Sequence, residues 1–187
     1  DLFVIWSSEG EIIVYQGTDP SSSTTWSLVG VFTTGKPIGR RCMFPVGGDL
    51  ALITEDGILP ISGLMKADRA VAGEKALTKR IRQAYADAIT RGRDVFGWQL
   101  VSHPASNMAI LNVPASGSDP TYQFAYNTIT GAWARFKGHD ANCWASFNNG
   151  LYFGGSGTVY QADFGGTDND DPIEAVCLPA YMHLSAR

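Results

Sequence analysis

"GDLALITEDGILPIS", residues 48–62, is two short apolar runs joined by Glu55-Asp56-Gly57. An apolar run, a polar turn and a second apolar run spell a β-hairpin. The alternation within it is broken, because Leu50, Leu52 and Ile53 are all apolar. That is the pattern of a strand buried on both faces. The same shape occurs in "DLFVIWSSEGEIIVYQG" (1–17) and "GLYFGGSGTVYQAD" (150–163). An ungapped shift of 101 positions carries Cys42, Leu50, Leu52, Ile58 and Ser62 onto Cys143, Leu151, Phe153, Val159 and Asp163. Trp26 and Trp133 precede those cysteines by 16 and 10 residues. Related hairpins begin near Leu2, Leu50, Asn107 and Leu151, at spacings of 48, 57 and 44.

Units of this length, each with several short strands, point to radially stacked sheets. One small twisted sheet cannot bury both faces, whereas neighbours stacked on either side can cover them. The expectation is a mainly β chain, a propeller-like stack of four-stranded antiparallel blades with one inserted α-helix at about residues 74–91. Blade-like units occupy 1–62 and 98–165, a helical insertion 63–97, and a further segment starts at 166–187. A two-layered β-sandwich is the rival. The predicted blade core is Trp26, Cys42, Leu50, Leu52, Ile53, Trp133, Cys143, Leu151, Phe153 and Val159. The chain opens without Met inside a strand pattern and ends on "YMHLSAR", which reads as part of a larger propeller protein.

"GEKALTKRIRQAYADAITRG", residues 73–92, breaks the strand rhythm. Leu77, Ile81, Ala84, Tyr85 and Ala88 fall on one helical stripe, and Gly92 suits a C-terminal stop. The stripe packs either on its own chain or on a neighbouring subunit. For the second case the contact residues are Leu77, Lys79, Arg80, Ile81, Arg82 and Tyr85. Between Lys66 and Asp94 eight basic and four acidic residues give +4 in a chain of net charge −4. The whole chain is therefore no electrostatic glove for nucleic acid.

Twenty-one Gly and nine Pro fit a turn-rich β protein. Cys42, Cys143 and Cys177 are single and lack metal-ligand spacing. Cys42 and Cys143 sit in apolar strand contexts and read as buried free thiols. No apolar run approaches the roughly 20 residues of a membrane helix. His103, His139 and His183 are unpaired at metal-ligand spacing, and His103, before Pro104, reads as a solvated turn residue. His139-Asp140 beside Arg135 and Lys137 lacks a nucleophile motif. Asp168, Asp170 and Asp171 share one loop of oxygen donors, but the order of a calcium loop fails, so they are only weak metal candidates. No cofactor is implied. A glycosidase would draw its carboxylate pair from Glu9, Glu11, Glu55 and Asp56, all at hairpin turns.

The stretches "IIVYQGTDPSSSTTWSLVGVFTTGKPIGRRC" (12–42) and "GGDLALITEDGILPIS" (47–62) resemble the tail hub and nozzle proteins of short-tailed bacteriophages and prophages. That group includes packaged-DNA stabilisation proteins. "TITGAWARFKGHDANCW" (128–144) and "LYFGGSGTVYQAD" (151–163) extend the likeness over most of residues 1–165. The resemblance implies a non-enzymatic β-propeller in a homo-oligomeric ring, a hexamer. Such a ring sits below the portal and adaptor in the virion tail and is assembled in the host cytoplasm. DNA passes through its channel without sequence recognition, and no membrane is involved. The alternative is a carbohydrate-binding propeller module of a receptor-binding tail component, with Trp98, Trp144, Tyr122 or Tyr126 stacking on sugars.

Overall fold

The computed structural model describes residues 2–46, 48–66, 73–168 and 171–172. The chain is mainly β. Strands β1 (Leu2–Trp6), β2 (Glu11–Gly17) and β3 (Trp26–Thr33) form a first sheet. β4 (Met43–Val46), β5 (Asp49–Thr54) and β6 (Gly57–Pro60) form a second. β7 (Gln99–His103), β8 (Met108–Val113), β9 (Tyr122–Asn127) and β10 (Trp133–Lys137) form a third. β11 (Cys143–Phe147), β12 (Gly150–Gly155) and β13 (Thr158–Ala162) form a fourth. Each is an antiparallel meander in chain order, and a two-residue pair, β14 (Thr167–Asp168) with β15 (Asp171–Pro172), follows. Three of the four larger sheets have three strands rather than the expected four; only the third has four.

The sheets stack in sequence, because each inner sheet sends alternate residues into two different cores. Ile12 and Val14 of the first sheet meet Leu52 and Leu59 of the second, together with Ile61 and Leu64 of the short helix α1 (Ile61–Leu64). The residues next to these in sequence, Ile53 and Ile58, face the opposite way. They join Leu100, Leu111 and Phe124 of the third sheet and Tyr85, Ala88 and Ile89 of helix α2 (Arg82–Gly92). Val101 and Ile110 of the third sheet then meet Trp144, Leu151 and Phe153 of the fourth. Leu52, Ile53 and Ile58 are each 0% exposed, which only a sheet covered on both faces allows. Each such side chain contributes about 1.5–3 kcal/mol. None of the three cores joins the first sheet to the fourth among the described residues.

The 101-residue repeat is exact in strand register. In the second sheet Met43 pairs with Leu52, Pro45 with Leu50, Leu52 with Leu59 and Ile53 with Ile58. In the fourth sheet Trp144 pairs with Phe153, Ser146 with Leu151, Phe153 with Tyr160 and Gly154 with Val159. Tight turns fix this register. Asn148 (φ 46°) and Asn149 (φ 62°) close β11 onto β12, while Ser156 (φ 50°) and Gly157 (φ 78°) close β12 onto β13. Paired positive-φ residues give the turn whose twist matches that of the flanking strands. Gly57 (φ +132°) opens β6, where an added Cβ would lie 2.6 Å from the Thr78 hydroxyl oxygen.

Several core expectations need correction. Val159 is 74% exposed, although its counterpart Ile58 is fully buried. Ile58 faces the third sheet and α2, whereas the described residues place no sheet over the corresponding face of the fourth. Cys143, on that same outward face, is exposed for the same reason. Its counterpart Cys42 is half-buried against the middle core, and burial raises its thiol pKa above the ordinary value. Trp26 belongs to none of the three cores; it stacks on Tyr15 (5.7 Å between ring centroids) at the outer side of the first sheet. Leu50 and Trp133 are half-buried, each packed on a core, and Leu52, Ile53, Leu151 and Phe153 are buried.

The predicted single helix is two pieces, a 3-10 segment at Leu77–Ile81 and then α2. Thr78 explains the break. It is buried, and its Oγ1 accepts a hydrogen bond from the Ile58 backbone N–H at 3.1 Å, pinning this turn to β6. Helix α2 ends at Gly92, whose carbonyl accepts a hydrogen bond from the Trp98 indole at 2.7 Å.

Ile58→Ala should cost about 2–5 kcal/mol of unfolding free energy, the usual range for a buried aliphatic truncation. Val159→Ala, at the same repeat position, should stay within about 0.5 kcal/mol, as for other exposed sites. Chemical denaturation of the two variants checks this. Equal costs would show that the far face of the fourth sheet is covered.

Candidate functional site

Three regions collect polar or charged side chains: the helical insertion, the cleft beside it, and the seam between the third and fourth sheets. In the insertion, the ring of Tyr85 is 2% exposed and its hydroxyl donates to the Thr54 carbonyl at 2.6 Å. Desolvation pushes its pKa far up. Tyr85 is therefore unavailable to a neighbouring subunit, which corrects its assignment as a contact residue. Leu77 and Ile81 are half-buried against the same core. The Trp133 indole donates to the Leu77 carbonyl at 3.1 Å, and Arg80 donates to the Gly131 carbonyl at 3.1 Å. Lys79 and Arg82 are exposed and share Glu74, at 2.8 and 2.9 Å. The apolar stripe thus packs on its own chain, and all three cations have intramolecular partners. The hydrogen bonds and charges of Lys79 and Arg82 hold the Glu74 carboxyl at about 2, below its ordinary 4.5.

An open cleft of about 450 Å³ lies between α2 and the outer strand of the third sheet, lined by Asp87, Thr90, Arg91 and Arg135. The Arg135 guanidinium lies over the rings of Tyr122 (4.9 Å) and Phe124 (5.3 Å). Arg91 donates to the Tyr122 hydroxyl at 3.0 Å and pairs with Asp119 at 3.3 Å. Two cations and two carboxylates balance here, so the cleft offers no strong field of either sign.

The seam between the third and fourth sheets carries the network that sequence reasoning missed. Asn112, fully buried on β8, donates to the carbonyls of Gly97 and Ala141, both at 2.9 Å. Its oxygen accepts from Gln123 Nε2 and from the Trp144 indole, also at 2.9 Å. Gln99 Nε2 donates to the Trp144 carbonyl (2.8 Å), and its Oε1 accepts from Trp144 N (3.0 Å) and Arg41 (2.5 Å). Arg41 and Gln99 also form a parallel bridge. One side chain on β7 therefore ties the chain entering β4 to β11. Three isolated amides in strand patterns carry no spacing signal; the only sequence cue is a polar residue at an inward position.

At the outer end of the same seam the fold gathers Ser106, Asp163 and His103. Ser106 Oγ donates to Asp163 Oδ2, and His103 Nε2 lies 3.6 Å from that oxygen. His103 is buried, not the solvated turn residue expected. The three residue types are those of a hydrolytic triad in the wrong order. The carboxylate stands between hydroxyl and imidazole, so the imidazole cannot take the serine proton. His139 packs edge-on against Trp144 (5.7 Å) and Phe153 (5.1 Å). Asp140 accepts from Thr121 and Ser156. Glu9 pairs with Lys36 at 2.7 Å and Glu55 with Arg93, so two of the four glycosidase candidates already neutralise cations.

Trp98, Trp144 and Tyr122, candidates for sugar stacking, are buried, and Tyr126 is half-buried against the middle core. Asp170 lies outside the described residues, and Asp168 and Asp171 belong to the terminal two-residue strands. Among the described residues no group of three metal-ligating side chains occurs, and no helix is long and apolar enough to cross a membrane. No protein-family model matches the chain, and a search of curated proteins returns no match.

Asn112→Ala would leave the Trp144 indole and two carbonyls without this partner in a buried seam, while the Gln123 amide keeps the His139 carbonyl. Each such group costs about 1–3 kcal/mol, so a loss of at least about 3 kcal/mol is expected in denaturation. Unchanged stability would mean that the seam is hydrated. In an NMR titration the Glu74 carboxyl should have its midpoint near 2. Because its folded value is lowered, the ion pair's contribution is full above about 4.5 and is lost as pH falls toward about 2. Replacing both Lys79 and Arg82 by Met should return the midpoint toward the ordinary value; a midpoint that does not move would assign the shift to another cause.

Proposed function

We propose that the chain is a structural protein, a propeller-type sheet stack in the nozzle or hub of a short-tailed phage tail. In this reading it helps form the ring around the DNA exit channel and retains packaged DNA without reading its sequence. The observation that carries it is how the side chains are used. The buried aliphatic and aromatic residues go mainly into sheet-to-sheet cores. The buried amides join sheet to sheet or sheet to loop, and the one Ser–Asp–His grouping is ordered for stapling rather than catalysis. β7 lies against both β4 and β11. Sheets whose first strands sit side by side fan out from a common edge, as the blades of a propeller do. The tail assignment itself rests on the resemblance over most of residues 1–165.

The receptor-binding alternative needs exposed aromatic platforms. Its named tryptophans are buried, so no observation favours it over the structural reading.

Immunogold electron microscopy of phage particles from the producing cells tests the proposal. Antibody against the folded chain should decorate the tail end opposite the head. Labelled protein found only outside particles would overturn the tail assignment and leave the sheet stack unaffected.

A further inference from the structure

Two dipeptides place glycine directly after a side chain of the right length to close a five-membered ring on the backbone. They are Asp56-Gly57 and Asn149-Gly150, each the only pair of its kind in the sequence. Glycine leaves its own backbone nitrogen unshielded, so that nitrogen can reach the preceding side-chain carbonyl carbon. The fold treats the two pairs differently. Asp56-Gly57 is locked. The Asp56 N–H donates to Thr54 Oγ1 at 3.0 Å, and the same hydroxyl donates to the Gly57 carbonyl at 2.8 Å. Gly57 is buried, with Thr78 and Ala76 filling the space beside its Cα.

Asn149-Gly150 is open. Asn149 is exposed, and its side-chain amide takes part in no hydrogen bond among the described residues. Gly150 stands opposite Phe147 in the last register pair of β11 and β12, so fraying of that pair alone frees its nitrogen. The Trp144–Phe153 pair, which faces the seam, lies three pairs further in. The hairpin itself demands this dipeptide. Its turn needs positive φ at Asn148 and Asn149, a conformation that asparagine tolerates better than most residues. At Gly150 an added Cβ would lie 2.9 Å from the Tyr152 ring, so glycine is the residue that fits.

We propose that Asn149 is a self-modification site, at which the Gly150 nitrogen attacks Asn149 Cγ and the residue passes through a cyclic imide to aspartate and isoaspartate. The new N–Cγ bond forms as the Cγ–Nδ2 bond breaks. The side-chain nitrogen leaves as ammonia, carrying away the proton from the Gly150 nitrogen. Water is the only other reactant, and nothing is oxidised or reduced. Opening of the ring at Cγ gives aspartate at position 149. Opening at the backbone carbonyl carbon gives isoaspartate, with the chain running through the former side chain. Either product puts a carboxylate at the end of the fourth sheet. Isoaspartate also adds a methylene carbon to the backbone, and a two-residue turn cannot absorb that carbon while keeping the Phe147–Gly150 pair. None of this depends on the tail assignment.

The folded chain, held in mildly alkaline buffer at physiological temperature, should gain the small mass of NH exchanged for O. Peptide mapping by mass spectrometry should place the gain at Asn149, growing with time and faster at higher pH. In water enriched in oxygen-18 the label should enter residue 149, and enzymatic methylation of isoaspartyl groups should mark the same peptide. Asn149→Gln should abolish the gain, because its ring would have six members and closes far more slowly. Circular dichroism of that variant should match the parent, and mapping of the unaltered chain decides the matter even if it does not. The proposal is overturned if Asn149 stays intact in the folded chain while a synthetic peptide of residues 146–153 converts. A gain mainly at another asparagine, isoaspartate forming faster at Asp56, or aspartate at position 149 without any isoaspartate would overturn it too.

Discussion

Adjacent residues on β5, Leu52 and Ile53, are both completely removed from water, and they lie in different hydrophobic cores. In a pleated strand neighbours point to opposite faces. Burying both therefore requires a layer on each side of the sheet. The same demand recurs at Ile58 and Leu59 on β6, at Leu100 and Val101 on β7, and at Ile110 and Leu111 on β8. Once two consecutive sheets are built this way, a closed two-layer sandwich is impossible, since its outer faces would be apolar and wet. The stack follows, and with it the position of the helices. α2 fills the middle core with Tyr85, Ala88 and Ile89 beside the sheets, and the Tyr85 hydroxyl finishes on the last carbonyl of β5.

Apolar faces alone do not fix which way one sheet sits on the next, because hydrophobic contact is non-directional. Buried amides supply the direction. Gln99 reads the backbone of Trp144 through both its donor and its acceptor, and Asn112 uses its donors on Gly97 and Ala141. A slide of one residue along β11 would replace the N–H and carbonyl of Trp144 with groups that point to the other side. The penalty for leaving such buried groups without partners exceeds the gain from any single well-made bond. The seam between the third and fourth sheets is thus held in one register by polar groups and stabilised by Val101, Ile110, Leu151 and Phe153.

Much of this was legible in the chain. The broken alternation at Leu50, Leu52 and Ile53 signals two-sided burial, and the shift of 101 positions marks two sheets that agree pair for pair in register. What the sequence hides is context. Val159 and Ile58 occupy the same repeat position, and nothing local distinguishes a forward face that has a neighbour from one that lacks it. The helix was legible by period but not by continuity. Thr78 lies inside a helical pattern, and only the approach of the Ile58 N–H turns that stretch into a 3-10 turn. His103 read as a turn residue because Pro104 follows it, yet it ends β7 and faces the seam. Asn112 and Gln123 gave no pattern, since their partners come from three separate segments.

The distribution of polar chemistry follows from the same constraint. A sheet covered on both faces leaves few side-chain positions open to solvent, so groups able to act on a ligand are pushed to turns and strand ends. There, each finds a local task. Asp19 gathers the Ser21 amide and hydroxyl, which lowers its carboxyl below the usual value, and so orders the loop before Trp26. Glu9 and Glu55 hold Lys36 and Arg93 across neighbouring segments. Even the meeting of serine, aspartate and histidine joins the end of the fourth sheet to the end of β7, with the carboxylate accepting from the serine hydroxyl and lying 3.6 Å from the imidazole. Among the described residues, these hydroxyls, carboxylates and cations each join one segment of the fold to another.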